Sequence, residues 1–96
     1  MNEYYSLIWA KIKEAWTIPE NLIKETADLE TIIVIMIDRD GKVQKWWFEK
    51  KSGNTTYDQS AIRALKKAEP LPPIPKELGE NTLEIGLRFT PEEYRR

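Results

Sequence analysis

The chain has 96 residues, of which 41% are hydrophobic and 32% are charged, and its formal net charge at pH 7 is -1. This length and composition predict one compact domain with its own hydrophobic core, since the chain is too short for two. The balanced charge offers no general electrostatic attraction for nucleic acid or anionic lipid, so neither is an expected partner.

The residue types that the chain lacks narrow its chemistry further. It contains no cysteine and no histidine, which removes disulfides, thiolate zinc sites and His-dependent catalysis. Turn or helix-start chemistry explains Asp38, Asp40 and Asp58 without a catalytic pair. We therefore expect no enzymatic activity, no cofactor and no metal site. No apolar run approaches the roughly 20 residues of a membrane helix, so the chain as given is expected to be soluble.

The first predicted element is a helix over residues 1–17. Large apolar side chains recur at spacings of three and four, the pattern of one buried helical stripe: Tyr5, Ile8, Ile12 and Trp16. Pro19 disfavours a helical conformation at the residue before it, so the helix should end shortly before that point.

A β-hairpin is predicted over residues 29–51. Its first strand is apolar on both faces, as expected of a central strand covered on each side. Helices should cover one face, and either a loop or a second copy of the domain the other. Asp40 and Gly41 predict a type I′ turn. Val43 and Phe48 differ in parity, so we expect a bulge near residues 45–47 to turn both toward the core.

A second helix is predicted over residues 56–69, starting at a capping box formed by Thr56 and Gln59. Its buried stripe comprises Tyr57, Ala61, Ala64, Leu65 and Ala68. Pro70 ends the helix, and residues 70–75 form an extended proline strut that carries the chain across the domain. A reading of this proline run as a ligand for SH3-type domains is disfavoured, because the helix stop and the strut explain all four prolines.

The last predicted element is an edge strand over residues 81–89, where apolar and polar side chains alternate. A hairpin followed by a right-handed crossover gives the strand order 2-1-3. The fold class is therefore α+β: helix, strand, strand, helix, strand, with a three-stranded antiparallel-type sheet packed by two helices.

The third strand is the less protected edge of this sheet. Lysines defend the second strand, whereas only Glu84 and Arg88 are charged within the third, and Gly86 lets another backbone approach closely. Such an edge is a candidate site for an extended peptide. Trp47 is a further candidate, although core packing explains the neighbouring Trp46 and Phe48 better than a nucleic-acid platform does. The candidate partner-binding residues are Thr82, Leu83, Glu84, Ile85, Gly86, Leu87, Arg88 and Trp47.

The order and spacing of several motifs resemble the C-terminal domain of the TonB/TolA family of cell-envelope energy transducers. The matching positions run along most of the chain: Tyr5, Ile8, Ile12, Trp16 and Pro19; Asp40-Gly41-x-Val43; Phe48 before Lys51-Ser52-Gly53; Tyr57-Asp58 and Ala61; and Ala68-x-Pro70-Leu71-Pro72. Lys51 replaces a commoner serine, and the Tyr-Pro pair that often opens TonB-type domains is absent. The Tyr-to-Trp opening looks more like the TolA branch.

The resemblance implies a non-enzymatic periplasmic domain of a protein anchored in the inner membrane. Its implied partners are plug-side peptides of outer-membrane transporters or proteins of the Tol-Pal system, and an inner-membrane proton-channel complex reached through an upstream anchor. Family members commonly bind by adding a partner strand to the edge made by the third strand. The alternative is a structural envelope domain that dimerises through the same edge, and the residues leave both readings open.

Overall fold

The computed structural model describes residues 2–19, 22 and 28–95. Its helices and strands occur in the following order: α1 (Asn2–Ala15), β1 (Thr31–Asp38), β2 (Val43–Lys50), α2 (Thr55–Ala68), a short 3₁₀ helix (Lys76–Leu78), β3 (Thr82–Phe89) and α3 (Pro91–Arg95). The sheet is antiparallel with the order β2-β1-β3. The predicted α+β class and strand order are thereby confirmed.

The core lies between one face of the sheet and the helices α1 and α2. Ile33, Ile35 and Ile37 on β1 are fully buried there. All five residues of the stripe predicted for α2 are buried as well. The alanines among them leave no bulk between the backbones, so α2 can lie close to its neighbours.

The buried face of α1 differs from the prediction by one residue. Tyr4 is 4% exposed and belongs to the core with Ile8 and Ile12, whereas Tyr5 is 40% exposed. The Tyr4 hydroxyl donates a hydrogen bond to the carbonyl of Pro72 at 2.8 Å. Either tyrosine fits the helical spacing, and the structure buries Tyr4.

The hairpin turn is not of the predicted type I′. Gly41 has φ 88°, but no non-glycine residue among those described has a positive φ, so Asp40 cannot take the conformation that type I′ requires. The Asp38 N–H instead donates to the Lys42 carbonyl at 2.9 Å, which leaves a three-residue loop. The carboxylate of Asp38 accepts hydrogen bonds from the N–H groups of Asp40 and Lys42, and these bonds stabilise the loop.

The proline segment lies against this hairpin loop. The Leu71 N–H donates to the Gly41 carbonyl at 3.0 Å, and the Ile74 N–H donates to the Arg39 carbonyl at 3.1 Å. Leu71 and Ile74 are buried in the core. The segment thus braces the turn through its non-proline residues, whose side chains are buried.

Strand β2 contains two bulges, neither of them within the predicted residues 45–47. The register against β1 shifts between Met36 and Ile37 and again between Ile32 and Ile33, which leaves Gln44 and Glu49 as the extra residues. The bulge at Gln44 brings Val43 onto the core side with Trp46 and Phe48, where all three side chains are half-buried. The expected change of parity therefore occurs, but closer to the turn.

One helix start and one additional helix differ from the sequence prediction. The N-cap of α2 is Asn54, whose side chain accepts a hydrogen bond from the Tyr57 N–H at 2.9 Å; Thr56 lies inside the helix and forms no capping box. Helix α3 was not predicted. Its signals were Thr90 as an N-cap, Pro91 at the first helical position and glutamates in the first turn.

Candidate functional site

The outer edge of β3 belongs to a strand of unbroken register. Each of its eight residues pairs with a residue of β1, from Thr82 opposite Asp38 to Phe89 opposite Thr31, without a register shift. No further strand pairs with β3 in the part of the chain that the structure describes. A strand that is paired on one side only leaves alternate N–H and C=O groups open on the other.

The opposite edge of the sheet is less suited to strand pairing. The bulges at Gln44 and Glu49 interrupt β2 near both of its ends, and bulges break the hydrogen-bonding register that an added strand would need. In addition, the Glu69 carboxylate accepts a hydrogen bond from the Val43 N–H at 3.1 Å. Lys45 and Lys50 add the charge that discourages edge pairing.

The sequence-predicted site residues on β3 divide between the two faces of the sheet. Leu83, Ile85 and Leu87 point to the core side, where Leu87 is fully buried. The four exposed residues lie on the other face: Thr82, Glu84, Gly86 and Arg88. The buried residues hold the strand in place, so only their backbone groups can contact a partner, whereas the exposed residues also offer side chains.

The exposed residues continue as rows across the face of the sheet that α1 and α2 leave uncovered. This open face is defined by the pairing of all three strands: Glu84, Met36 and Lys45 form one row, Gly86, Val34 and Trp47 the next, and Arg88, Ile32 and Lys50 the third. Trp47 is 37% exposed. It therefore shares a row with Gly86 but is separated from the β3 edge by the width of β1.

A carboxylate links the outer strands at one end of the open face. Glu30 bonds to Lys50 of β2 at 2.7 Å and to Arg88 of β3. The hydrogen bonds from Lys50 and then from Arg88 hold the pKa of Glu30 below its ordinary value. Two cations thus share one carboxylate at the end of β3, in a pocket that Asp28, Glu92 and Glu93 also line.

Tyr5 of α1 contacts the edge strand at its centre. Its hydroxyl donates a hydrogen bond to the carbonyl of Gly86 at 3.3 Å. Sequence reasoning missed this contact because it placed Tyr5 in the buried stripe of α1. No sequence signal distinguishes the two neighbouring tyrosines, and only the tertiary structure shows that one of them reaches the edge.

The described residues offer little for other kinds of site. They contain no group of three or more acidic residues placed to hold a metal ion. None of their helices combines the length and the apolar character needed to cross a membrane. The edge of β3, with its open face, is the candidate site.

Comparison with known proteins agrees with this architecture. Two solution structures of the TonB C-terminal domain from Helicobacter pylori are similar to this chain, each at 22% identity over 94% of it. The longer gives a TM-score of 0.74 and is covered over 80% of its length; the shorter gives 0.66 and is covered over 94%. At this identity the similarity shows the fold alone.

A search of curated proteins finds no match. The family model described as TonB C terminal matches residues 1–89. The family model and both solved structures are of TonB, so the TolA-like branch is not confirmed. The matched residues include α1, the whole sheet and α2, and the chain therefore belongs to the family of TonB C-terminal domains.

Proposed function

We propose that this domain captures an extended peptide of an outer-membrane partner as a fourth strand along β3. In this role it is the non-enzymatic, periplasmic end of an energy transducer anchored in the inner membrane. An inner-membrane complex supplies the proton-motive force, and the captured peptide passes it to an outer-membrane transporter. Membership of the TonB C-terminal family supports the general role.

One observation carries the choice of edge. β3 pairs with β1 in unbroken register over eight residues, while β2 is interrupted by two bulges. A peptide that adds to a sheet makes most of its bonds to backbone groups, and these must be regularly spaced to be satisfied together. Only β3 offers such spacing, so the backbone of residues 82–88 supplies the bonds while Glu84, Gly86 and Arg88 set the register.

Amide chemical-shift mapping of the labelled domain tests this proposal. Plug-side peptides of transporters from the same organism are added in one series, and the N-terminal segment of a Tol-system β-propeller partner in another. Each series includes a scrambled peptide of the same composition as its control. The proposal expects shifts centred on residues 82–88 and small shifts in β2. Shifts confined to β2 or to the helices would contradict it.

The peptide that causes the shifts separates the two branches of the family. A response to the plug-side peptides alone indicates the TonB-like role, which the family match favours. A response to the Tol-system segment alone indicates the TolA-like role that the opening helix suggested. The site is the same in both cases, so the branch can change without changing the proposed mode of binding.

A second candidate function is favoured by the charges on β3. Glu84 and Arg88 each lie two residues from Gly86, on the same exposed face. If two copies of β3 paired antiparallel about Gly86, Glu84 of each copy would face Arg88 of the other. Opposite charges facing each other across two strands stabilise their pairing. The domain would then assemble with itself through the edge that otherwise captures a peptide.

Sedimentation of the domain over a range of concentrations tests the second candidate. A mass that rises to that of a dimer supports self-assembly, and the substitution Glu84→Lys should weaken that dimer because it places like charges opposite each other. Adding Arg88→Glu to Glu84→Lys restores opposite charges and should restore the dimer. A monomeric mass at every concentration would exclude self-assembly through β3.

A further inference from the structure

We propose that Gly86 selects the bound peptide by receiving a large apolar side chain, aromatic or long aliphatic, from the peptide residue that faces it. The inference rests on the peptide-capture role proposed above and adds the chemistry of the peptide. It concerns the open face of the sheet. The row of Trp47, Val34 and Gly86 reaches the β3 edge at Gly86, which has no side chain.

The backbone of β3 does not need glycine at this position. Gly41, Gly53 and Gly79 have positive φ angles, but Gly86 does not. The residues before and after it in β3 pair regularly with β1. Glycine weakens the interior of a strand because it raises the backbone entropy of the unfolded chain and has no side chain to pack. Gly86 thus lowers the stability of the strand without serving its conformation, which suggests that the absent side chain serves a contact outside the chain.

The space beside Gly86 is open. A Cβ atom built on Gly86 would have no heavy atom of the described residues within 4 Å, apart from its chain neighbours. The next residue in the row is Val34, and beyond it lies the partly exposed Trp47. A strand added to β3 would place one residue beside Gly86 in the same row. A large side chain there can lie over the glycine and against the small part of Val34, 6%, that is exposed, as aromatic residues do across from glycine in other sheets.

The neighbouring rows fix the register of this peptide. Glu84 and Arg88 lie two residues to either side of Gly86 and are exposed. Arg88 shares the carboxylate of Glu30 with Lys50. The peptide should therefore carry a basic residue facing Glu84 and an acidic residue facing Arg88.

The order of these charges depends on the direction of the peptide. In an antiparallel peptide, the acidic residue precedes the large apolar residue by two positions and the basic residue follows it by two. In a parallel peptide the order is reversed. The predicted ligand class is thus an extended segment with a large apolar residue at its centre and opposite charges two residues away on either side.

Titrations with synthetic peptides test the inference. The probes are nine-residue peptides built on alternating threonine and valine, with phenylalanine or alanine at the centre and the two flanking charges in either order. Each is titrated into the labelled wild-type domain and into the variants Gly86→Ala and Gly86→Val, with amide shifts of β3 as the readout. Thermal unfolding of each variant checks that it is folded, and both should be, since a Cβ atom at this position enters open space.

Of the two charge orders, one should give tighter binding. With that order, the wild-type domain is expected to bind the phenylalanine peptide about tenfold more tightly than the alanine peptide, a difference of ~1.4 kcal/mol. Gly86→Val should remove most of this preference, because the valine side chain fills the space, and Gly86→Ala should reduce it less. Equal binding of the two peptides to the wild type, or an unchanged preference in Gly86→Val, would overturn the inference.

The outcomes also separate this inference from the proposed function. Peptides that shift the amides of β3 without regard to the central residue contradict the role of Gly86 but leave strand capture standing. If no peptide of this set shifts β3, the inference is contradicted, whereas strand capture is judged by the transporter peptides. Shifts of β3 that depend on protein concentration alone would mean that a second copy occupies the edge with glycine facing glycine, which also overturns the inference.

Discussion

At the scale of single residues, two adjacent tyrosines of α1 have different roles. Tyr4 is buried and donates to Pro72, and Tyr5 is exposed and donates to Gly86. The prediction of Tyr5 as the buried tyrosine of α1 is wrong; both positions are compatible with the spacing of Ile8 and Ile12. The hydrogen-bond partner of Tyr4 lies 68 residues away in the chain, and local pattern carries no information about it.

The contact of Tyr5 with Gly86 leads to a prediction about affinity. A strand added to β3 needs the edge carbonyls, and the Tyr5 hydroxyl already occupies one of them. Tyr5→Phe should therefore strengthen peptide binding by about two- to fivefold, in keeping with the modest net worth of an exposed hydrogen bond, and leave the melting temperature nearly unchanged. Titration calorimetry with a bound peptide measures the effect.

Tyr4→Phe is the matched control. It removes the bond to Pro72, which is on the buried side of α1, and should cost about 1 kcal/mol of unfolding free energy without changing affinity. Equal effects of the two substitutions on binding would show that the Tyr5 contact has no influence on the edge.

Tyr57 leads to a prediction about pH. Its side chain is fully buried and its hydroxyl donates to the Phe89 carbonyl at 2.9 Å. Burial, followed by the charge of Asp58, raises the pKa of Tyr57 well above its ordinary value of 10.0. The folded state thus favours neutral tyrosine, so this stabilisation is complete below pH 10 and is lost as the pH rises above 10, where the unfolded chain ionises.

Urea unfolding at several pH values tests this expectation. Tyr57→Phe should lower the unfolding free energy at pH 7 by about 1–3 kcal/mol, because the Phe89 carbonyl loses its buried partner. The loss of stability between pH 10 and pH 11.5 should be smaller in the variant than in the wild type. The same alkaline loss in both proteins would contradict the assignment to Tyr57.

At the scale of elements, backbone hydrogen bonds join the hairpin loop to the proline segment. Gly41 and Leu71 meet backbone to backbone. The sequence predicted that Gly41 forms a turn and that Pro70 ends α2, but not that the two segments touch. Each signal is local, whereas their meeting follows from the length of the crossover and the position of β1.

Replacing Gly41 tests how much this contact contributes. A Cβ atom at Gly41 would lie 1.9 Å from the Leu71 carbonyl oxygen, and the φ of 88° is itself unfavourable for alanine. Gly41→Ala should therefore lower the unfolding free energy by roughly 2–5 kcal/mol, as strain and overpacking add. Denaturant unfolding measures the change.

Gly53→Ala is the matched control for that variant. Gly53 has a similar φ of 92°, but a Cβ atom there would meet nothing within 4 Å among the described residues. It should cost only the ~1–2 kcal/mol of the backbone conformation. If both variants lost the same free energy, the contact between the loop and the proline segment would contribute nothing of its own.

The bulges of β2 show a limit of prediction at this scale. Parity alone required one change of face between Val43 and Phe48, and the sequence predicted it. The structure places that change at Gln44 and adds another at Glu49. Side-chain alternation cannot locate a bulge when polar residues lie on both sides of it, because moving the bulge by one residue exposes the same kinds of side chain.

At the scale of the whole molecule, the domain is a sheet with one face packed by helices and two unequal edges. The order β2-β1-β3 followed from the hairpin and a right-handed crossover, and the candidate residues on β3 followed from the sparse charge of that strand. What covers the open face remained a choice between a loop and a second copy. Val34 on that face is only 6% exposed, and its neighbours in the row are Gly86 and Trp47.

The central claim is that β3 binds a peptide through backbone hydrogen bonds. The most direct measurement uses two versions of the transporter peptide that gives the largest shifts, N-methylated at alternate residues in one version and at the intervening residues in the other. In an added strand only alternate N–H groups face β3. Titration of the labelled domain should therefore show that one version has lost binding and that the other still shifts residues 82–88. Equal binding, or equal loss, of the two versions would contradict strand addition at this edge.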